Sequence, residues 1–292
     1  MGDSSKRDVV DRYLWIIERS LTGLLRPSAR LAYEPEVGTE QAALWQQLRQ
    51  RIGEAELSRI VPFDAERREV GGDWPQDAET MIGLRRLQNL RYCFEAIVKD
   101  GVQGDLLEAG VWRGGAAIYM RALLDAYGDR FRRVWIADSF RGLPPPELGG
   151  AIQDAGDEHW RQPALAVGLA DVLDNLARYD LLDHRIRVVE GWFEETLATA
   201  PVERLALLRA DGDMYSSTMS ILTALEPKVS VGGFVVIDDY GAVPGCQQAV
   251  EDYRSNFDIV DDLIEIDWTG VYWRKSAANP TDDPEQPTKP GR

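Results

Sequence analysis

The feature that most constrains the fold is an alternation of two sequence patterns from residue 105 onward. Short runs rich in large apolar residues alternate there with amphipathic stretches of helical period. This alternation is typical of βαβ units. We therefore predict an α/β fold, with a mostly parallel sheet that is covered by helices on both faces. The candidate strands are Asp105–Glu108, Arg133–Ala137, Ile186–Glu190, Leu205–Ala210 and Phe234–Ile237.

Helices and a terminal hairpin complete this region. Two final apolar runs, Leu263–Asp267 and Val271–Arg274, are separated by Thr269-Gly270. A Gly-containing break between short strand-like runs indicates a hairpin, which we place at the sheet edge. The helical patterns between the strands are Ala116–Tyr127, Ala170–Tyr179 and Thr218–Leu225.

The part of the chain before the first strand has the apolar spacing of helices. We predict helices over Asp8–Leu24, Gln41–Ile60 and Ala78–Lys99, with a Gly- and Pro-broken linker at residues 67–77. Residues 276–292 are rich in Pro and charge, so they cannot offset their ordering entropy by burial. We therefore divide the chain into a helical cap with linker (1–77), a main domain (78–275) and a disordered tail (276–292).

Composition narrows the classes of partner. The 292 residues carry a formal net charge of −16, which repels nucleic acid and anionic membranes, and neither is expected as a partner. The two cysteines have no metal-binding or disulfide pattern. No apolar run has the roughly 20 residues needed to span a bilayer. We expect a cytoplasmic protein.

Ligands of open α/β sheets bind at the carboxyl ends of the strands. The first strand runs into the pattern E-x-G-x-x-x-G-G, which begins at Glu108 and Gly110 and precedes a helix. The second strand is followed by Asp138, which could accept hydrogen bonds from a ribose or cap a helix. Trp192 and Phe193 follow the third strand, where they could flank an adenine ring or belong to the core.

Two pairs of aspartates follow the fourth and fifth strands. They are Asp211 with Asp213, and Asp238 with Asp239. Four carboxylates at one sheet edge repel one another, and a hard divalent cation relieves that repulsion. Oxygen ligands favour magnesium, or manganese or calcium, over zinc. If three of these aspartates bind the metal, the fourth is free to act as a base, and Asp213 is the best candidate for that base. The alternative is that these aspartates cap the helices that follow them.

Several long runs resemble the macrocin O-methyltransferases of the TylF type. They include GDLLEAGVWRGGAAIYMRALL, WIADSFRGLP and LLRADGDMYSSTMSILTALEPKVSVGGFVVIDDYG, and the similarity extends from about Trp74 to Arg254. Members of this family are magnesium-dependent enzymes that methylate deoxysugars of antibiotics. The resemblance implies a class I methyltransferase fold, S-adenosylmethionine as the methyl donor and a small glycosylated natural product as the acceptor.

The resemblance also implies roles for individual residues. Magnesium would be held by Asp211, Asp238 and Asp239, with Asp213 as general base. Residues 149–162 would form a mobile lid above the acceptor. The candidate acceptor contacts are His159 and Trp160 of this lid, and Tyr215. His159 could instead be a second proton acceptor or simply solvated. The implied cofactor contacts are Thr80, Met81, Glu108, Gly110, Asp138, Ser139, Trp192 and Asp211.

We therefore predict a magnesium-dependent enzyme that transfers a methyl group from S-adenosylmethionine to a sugar hydroxyl. Two alternatives remain at this point: a metal-dependent O-methyltransferase of a catechol-like diol, and a non-catalytic protein that binds S-adenosylmethionine. A nicotinamide-dependent reductase is disfavoured because GxGxxG and Tyr-x-x-x-Lys patterns are absent. The apolar surface of the N-terminal helices predicts a homo-oligomer, a dimer or higher.

Overall fold

The central sheet has seven strands, five of them parallel. The computed structural model describes residues 3–25, 30–31, 59–60, 64–73, 75, 77–146 and 151–276. The sheet order is β3-β2-β1-β4-β5-β7-β6, in which β7 is antiparallel to both of its neighbours. This arrangement confirms the predicted class I methyltransferase fold and the edge hairpin. The strands are β1 Asp105–Ala109, β2 Val134–Asp138, β3 Ile186–Glu190, β4 Leu205–Ala210, β5 Val229–Ile237, β6 Ile264–Glu265 and β7 Val271–Arg274.

Eight α-helices lie in the described residues. None of the helices in this part of the chain is long and apolar enough to cross a bilayer. The three helices predicted between the strands are confirmed to within a few residues at each end. The helices are α1 Asp3–Leu21, α2 Ala65–Glu69, α3 Leu84–Asp100, α4 Gly115–Ala126, α5 Leu169–Arg178, α6 Phe193–Thr196, α7 Tyr215–Leu225 and α8 Pro244–Asn256.

Two hydrophobic cores lie on opposite faces of the sheet. Successive strand residues point to opposite faces, so Leu106 of β1 joins the core beneath α1, α3 and α4, whereas Leu107 joins the core beneath α7 and α8. Both side chains are fully buried. The inner strands β1 and β4 are therefore apolar on both faces, which explains why they appear in the sequence as short, mostly apolar runs.

Helix α1 packs into the first core along one stripe. Leu14, Ile17 and Leu21 are buried there. Val9 and Ile16 share the helical spacing but lie outside that stripe, with 65% and 51% of their surfaces exposed. Of the predicted helix at residues 41–60, only Arg59–Ile60 is described, and it is a short strand paired antiparallel to residues 30–31.

Helix α3 begins later than the sequence pattern indicates. It was expected from Ala78 but starts at Leu84, and residues 78–83 are irregular. The reason is that the carbonyl oxygens of Met81 and Ile82 accept hydrogen bonds from the Arg68 side chain, at 2.5 and 2.8 Å. Residues 149–150 of the predicted lid and 277–292 of the predicted tail lie outside the described residues.

Candidate active site

A cleft of about 310 Å³ lies at the carboxyl ends of the parallel strands. The cleft brings together most of the residues predicted from the sequence. Trp160 and Tyr215 are not among its lining residues, so their assignment as acceptor contacts stays a prediction. The predicted residues that line the cleft are Thr80, Met81, Glu108, Gly110, Asp138, Ser139, His159, Trp192, Asp211, Asp213, Asp238 and Asp239.

Close backbone packing requires glycine at two positions of the loop after β1. Gly110 has φ +88°, and a Cβ there would lie 1.8 Å from the carbonyl oxygen of Asp211. Gly115 begins α4, where a Cβ would lie 2.5 Å from the carbonyl oxygen of Glu79. The loop therefore joins the ends of β1 and β4 without side chains between them, and its backbone forms one wall of the cleft.

Asp138, the last residue of β2, organises this loop. Its Oδ2 accepts a hydrogen bond from Val111 N at 2.7 Å, and its Oδ1 accepts one from Phe140 N at 2.7 Å. It therefore ties the glycine loop to the turn after β2 rather than capping a helix. Burial raises the pKa of this carboxyl. Asp138 lines the cleft, where its carboxylate can face a ligand hydroxyl, and this position fits the predicted ribose contact.

The other walls of the cleft are built by short loops. The Ser139 hydroxyl donates to Gly142 O at 2.8 Å and so shapes the turn after β2. Trp192 is half-buried at the start of α6, and its carbonyl accepts a hydrogen bond from Thr196 Oγ1 at 2.9 Å. Phe193 lines the same wall. This geometry is compatible with the interpretation that these rings flank an adenine.

Arg68 holds the Thr80–Ile82 segment against the cleft. It is fully buried and forms an ion pair of 2.9 Å with Asp73, in addition to its bonds to the carbonyls of Met81 and Ile82. Burial lowers the pKa of Arg68 to about 10. The sequence analysis missed this residue, because an arginine in a Gly-rich linker carries no pattern that predicts burial.

Three aspartates converge in the cleft. One carboxylate oxygen from each of Asp211, Asp213 and Asp239 lies within 4.8 Å of the others. Asp211 and Asp213 do not converge through the two-residue period of an extended strand. Strand β4 ends at Ala210, and Asp213 has φ +53°, so a turn brings the two side chains together.

Asp238 has a different environment from its neighbour Asp239. Its Oδ1 binds Arg209 Nη2 at 2.6 Å, and its Oδ2 binds Arg86 Nη1 at 2.5 Å. Burial acts to raise the pKa of Asp238, but the two arginines outweigh it and hold that pKa below the usual range. Asp238 is not part of the three-carboxylate cluster found among the described residues. Its assignment as a metal ligand therefore stays a prediction.

Two buried arginines form the floor beneath the carboxylates. Arg209 contacts Glu108, Asp211 and Asp238 at 2.7, 2.9 and 2.6 Å, and Arg86 joins Asp238 to Asp267. The sequence analysis missed both arginines. Arg209 had a detectable signal, because it is the one charged residue in the apolar strand LALLRA. Negative charge exceeds positive charge at this floor and in the cluster above it. The acidic residues are Glu108, Asp211, Asp213, Asp238, Asp239 and Asp267.

This excess of negative charge favours the binding of protons or of a metal cation. Burial and then the charge of Asp211 raise the pKa of Asp213 to about 7. Burial and the neighbouring aspartates also raise the pKa values of Asp211 and Asp239. The cluster found among the described residues offers only carboxylate oxygens. This donor set fits magnesium, manganese or calcium and does not fit zinc.

The lid places one of its predicted residues in the cleft. His159 lines the cleft, and its Nδ1 lies 2.8 Å from Asp157 Oδ2. Burial acts to lower the pKa of His159, but Asp157 outweighs it and the net shift is upward. Trp160 is 38% exposed and stacks with Arg161, whereas the Tyr215 hydroxyl donates to Asp252 Oδ2 at 3.0 Å.

Asp154 is a further residue that the sequence analysis missed. It belongs to the lid and is only 4% exposed. It accepts hydrogen bonds from Tyr215 N at 2.7 Å and Ser216 N at 3.0 Å, at the start of α7. It is therefore Asp154, and not Asp213, that caps this helix. No local pattern could have revealed this role, because the partners are more than 60 residues away in sequence.

Comparison with known proteins agrees with this architecture. Residues 10–275 match the sequence model of the family described as Macrocin-O-methyltransferase (TylF). The 8-demethyl-8-(2,3-dimethoxy-alpha-L-rhamnosyl)-tetracenomycin-C 4'-O-methyltransferase of Streptomyces olivaceus is 52% identical over 219 residues, which are 74% of this chain and 83% of that protein. The demethyldecarbamoylnovobiocin O-methyltransferase of Streptomyces niveus is 52% identical over 222 residues, 75% of this chain and 84% of that protein.

A solved structure leads to the same assignment. The structure of the O-methyltransferase NovP is similar to this one with a TM-score of 0.80 and 42% sequence identity, and the match covers 92% of this chain and 100% of that one. The family match and the matches to the two Streptomyces enzymes each cover most of the chain. The chain therefore belongs to the macrocin O-methyltransferase (TylF) family and is a methyltransferase enzyme.

Proposed function

We propose that this enzyme transfers the methyl group of S-adenosylmethionine to a hydroxyl of a sugar, in particular a deoxysugar, on a glycosylated natural product in antibiotic biosynthesis. The reaction is magnesium-dependent, with Asp213 as general base. One observation carries the proposal: Asp211, Asp213 and Asp239 converge in the same cleft as the glycine loop. The name of the Streptomyces olivaceus relative, which specifies a rhamnosyl group, supports a sugar acceptor.

The cleft residues fit the methyl donor. Both Asp138 and Trp192 line the cleft, and we assign Asp138 to the ribose hydroxyls and the Trp192 ring to adenine. Glu108 Oε2 is buried and accepts no hydrogen bond from the part of the chain that the structure describes. Because a buried carboxyl oxygen is costly without a donor, this atom suits the ammonium group of the methyl donor. Thr80, Met81, Ser139 and Asp211 complete the proposed pocket.

The acidic cluster fits magnesium. We propose Asp211 and Asp239 as ligands, and Asp238 through lone pairs that its two arginines leave free. When bound, magnesium supplies a positive charge that offsets the carboxylates and stabilises a developing alkoxide. The cluster lies in the cleft formed partly by Gly110, so the acceptor hydroxyl and the donor methyl would meet there.

Asp213 is placed to take the acceptor proton. Its carboxylate belongs to the cluster but makes no ion pair with the buried arginines that engage Asp211 and Asp238. The acceptor oxygen attacks the methyl carbon while the carbon–sulfur bond breaks, and the hydroxyl proton passes to Asp213. The main contribution of the protein is alignment, since the sulfonium of the donor is already an activated leaving group.

The acceptor class is tested by methyl transfer from labelled S-adenosylmethionine. The panel contains a rhamnosylated aromatic polyketide, its aglycone and a catechol. We expect label on a sugar oxygen of the glycoside, located by NMR, and none on the aglycone. Transfer to the catechol with none to glycosides would refute the sugar assignment.

The base is tested by Asp213→Asn with a matched control. Asp258 is exposed and shares φ +53° with Asp213, so Asp258→Asn makes the same chemical change at the same backbone conformation. We expect Asp213→Asn to lower kcat by about 10²–10⁴-fold with cofactor affinity retained. We expect Asp258→Asn to leave both unchanged. Full turnover of Asp213→Asn, or of the wild type after exhaustive chelation, would overturn the mechanism.

We propose a homo-oligomer as well, a dimer or higher. Helix α1 exposes Val9, Trp15 and Ile16, with 65%, 49% and 51% of their surfaces accessible. Large exposed apolar residues on one helix are typical of an association surface. Light scattering during size-exclusion chromatography measures the molar mass of the protein and so tests the oligomeric state. A monomer at micromolar concentration would contradict the proposal.

A further inference from the structure

The lid is attached to helix α7 by one buried carboxylate. Asp154 Oδ1 accepts from Tyr215 N, and its Oδ2 accepts from Ser216 N and from the Ser216 hydroxyl. Met214 occupies the N-cap position of α7 but makes no side-chain hydrogen bond to it. The first turn of α7 therefore takes its cap from the lid, 61 residues earlier in the chain.

The site of this carboxylate is shaped by a third element. A Cβ at Gly245, in the first turn of α8, would lie 3.5 Å from Asp154 Oδ1 and 3.1 Å from Tyr215 N. The tight contact would be with Tyr215 N, so glycine allows α8 to approach the backbone amide that donates to Asp154. A buried carboxylate is stable only when its oxygens are satisfied, and here backbone amides and one hydroxyl do so. The attachment is consequently specific to a short acidic side chain.

A chain of hydrogen bonds continues from Asp154 to the cleft. The carbonyl oxygen of Asp154 accepts from Asp157 N at 3.1 Å. The Asp157 carboxylate then accepts from His159 N at 2.8 Å and contacts His159 Nδ1 at 2.8 Å. His159 lines the cleft together with Asp213. The start of α7, two residues after Asp213, is thereby joined to the imidazole that lines the same cleft.

We propose that Asp154 is a positioning residue that fixes His159 over the aspartate cluster by joining the lid to α7. This proposal rests on the proposed function, in which the lid covers the acceptor sugar. Asp154 itself touches neither the cofactor pocket nor the acidic cluster, because it is not among the residues that line the cleft. Its loss should therefore impair use of the acceptor and spare binding of the cofactor.

The kinetic test uses Asp154→Asn and, as a control, another aspartate that accepts backbone N–H groups. Asp129, in the loop between α4 and β2 at the opposite end of the sheet, accepts them from Phe131 and Arg132 at 3.0 Å each, and it also forms an ion pair with the Arg132 side chain at 2.9 Å. We expect Asp154→Asn to lower kcat/KM for the acceptor by about 10–100-fold, the usual effect of groups that orient a functional side chain. Cofactor Kd should stay unchanged. Asp129→Asn should alter neither quantity, and equal kinetic losses in both variants would overturn the proposal.

A double-mutant cycle tests whether Asp154 acts through His159. If it does, Asp154→Asn combined with His159→Gln should be no slower than His159→Gln alone. Additive losses, or an unaffected His159→Gln variant, would overturn the proposal. Ser216→Ala removes only the hydroxyl bond to Asp154 and keeps the protein testable if Asp154→Asn does not fold. It should lower the same acceptor kcat/KM by a smaller factor; unchanged kinetics would count against the attachment.

Hydrogen exchange provides a readout that needs no turnover. In Asp154→Asn, the amides of Tyr215 and Ser216 and the lid residues 152–162 should all exchange faster, whereas Asp129→Asn should leave them as in the wild type. If the wild type methylates no glycoside but these amides lose protection together, the proposed function fails while the attachment holds. If the lid alone loses protection, the attachment to α7 is refuted.

Discussion

Replacing Glu108 with glutamine should stabilise the ligand-free enzyme at high pH. Burial raises the pKa of Glu108 to about 8 from 4.5, although Arg209 opposes the increase. A carboxyl that binds its proton more tightly in the folded than in the unfolded state contributes stability at low pH, and this is lost as pH rises from about 4.5 to 8. At about 1.4 kcal/mol per pKa unit, the interval corresponds to about 5 kcal/mol. Glutamine keeps an acceptor for Arg209 and does not ionise.

The assay is urea unfolding of wild type and Glu108→Gln at pH 5, 7 and 9, with chelator and without cofactor. The free energy of unfolding of the variant should rise relative to that of the wild type by several kcal/mol between pH 5 and 9. Glu190→Gln, at an exposed position at the end of β3, is the control and should remain parallel to wild type. A pH-independent difference between Glu108→Gln and wild type would refute the reasoning.

Three further predictions concern residues that stabilise the fold. Arg68→Met should reduce the free energy of unfolding by about 3–5 kcal/mol, because it leaves a buried carboxylate unpaired, and should weaken cofactor binding; thermal melts and calorimetry measure both. Burial acts to raise the pKa of Asp183, but Arg121 and Arg185 outweigh it and hold that pKa below its usual range. Asp183 therefore contributes stability that is lost as pH falls below about 4. In urea titrations, the free energy of unfolding of Asp183→Asn should fall less steeply with decreasing pH than that of the wild type. Gly110→Ala should abolish folding, whereas Gly101→Ala, also at positive φ but with nothing within 4 Å, should cost only about 1 kcal/mol by the same melts.

The strand pattern and the strand-end residues could be predicted because both depend on local periodicity. Asp211 and Asp238 stand directly after two buried neighbouring strands, Asp213 and Asp239 follow within two residues of them, and a parallel sheet brings such strand ends together. Gly110 and Asp138 were found for the same reason. The resemblance to a known family added roles to residues that the pattern had already singled out.

The remaining features depend on contacts between segments that are distant in the chain. Arg86 reaches Asp238 and Asp267, which lie 152 and 181 residues later, and Asp154 reaches α7 across 61 residues. Neither has a periodic signal. The late start of α3 has the same origin, because Arg68 engages carbonyl oxygens that a helix would otherwise use. Tertiary hydrogen bonds thus overrode local propensity at these positions.

Asp238 and Asp239 are adjacent in sequence but should respond to substitution in opposite ways. Asp238 forms ion pairs with two buried arginines, so Asp238→Asn breaks two buried ion pairs and should reduce the free energy of unfolding by about 3–5 kcal/mol. Burial, and then Asp213 and its neighbours, raise the pKa of Asp239, so Asp239→Asn relieves repulsion and should stabilise the metal-free protein.

The opposite order is expected for magnesium affinity. Asp239 contributes an oxygen to the three-carboxylate cluster, whereas both oxygens of Asp238 are engaged by arginines. Calorimetric titration with magnesium should therefore show a larger loss of affinity for Asp239→Asn than for Asp238→Asn. Equal losses would mean that Asp238 is a full ligand and that magnesium binding draws it away from at least one arginine. Unchanged affinity in Asp239→Asn would instead place the cation elsewhere, since the excess of negative charge around this residue is the reason for expecting one.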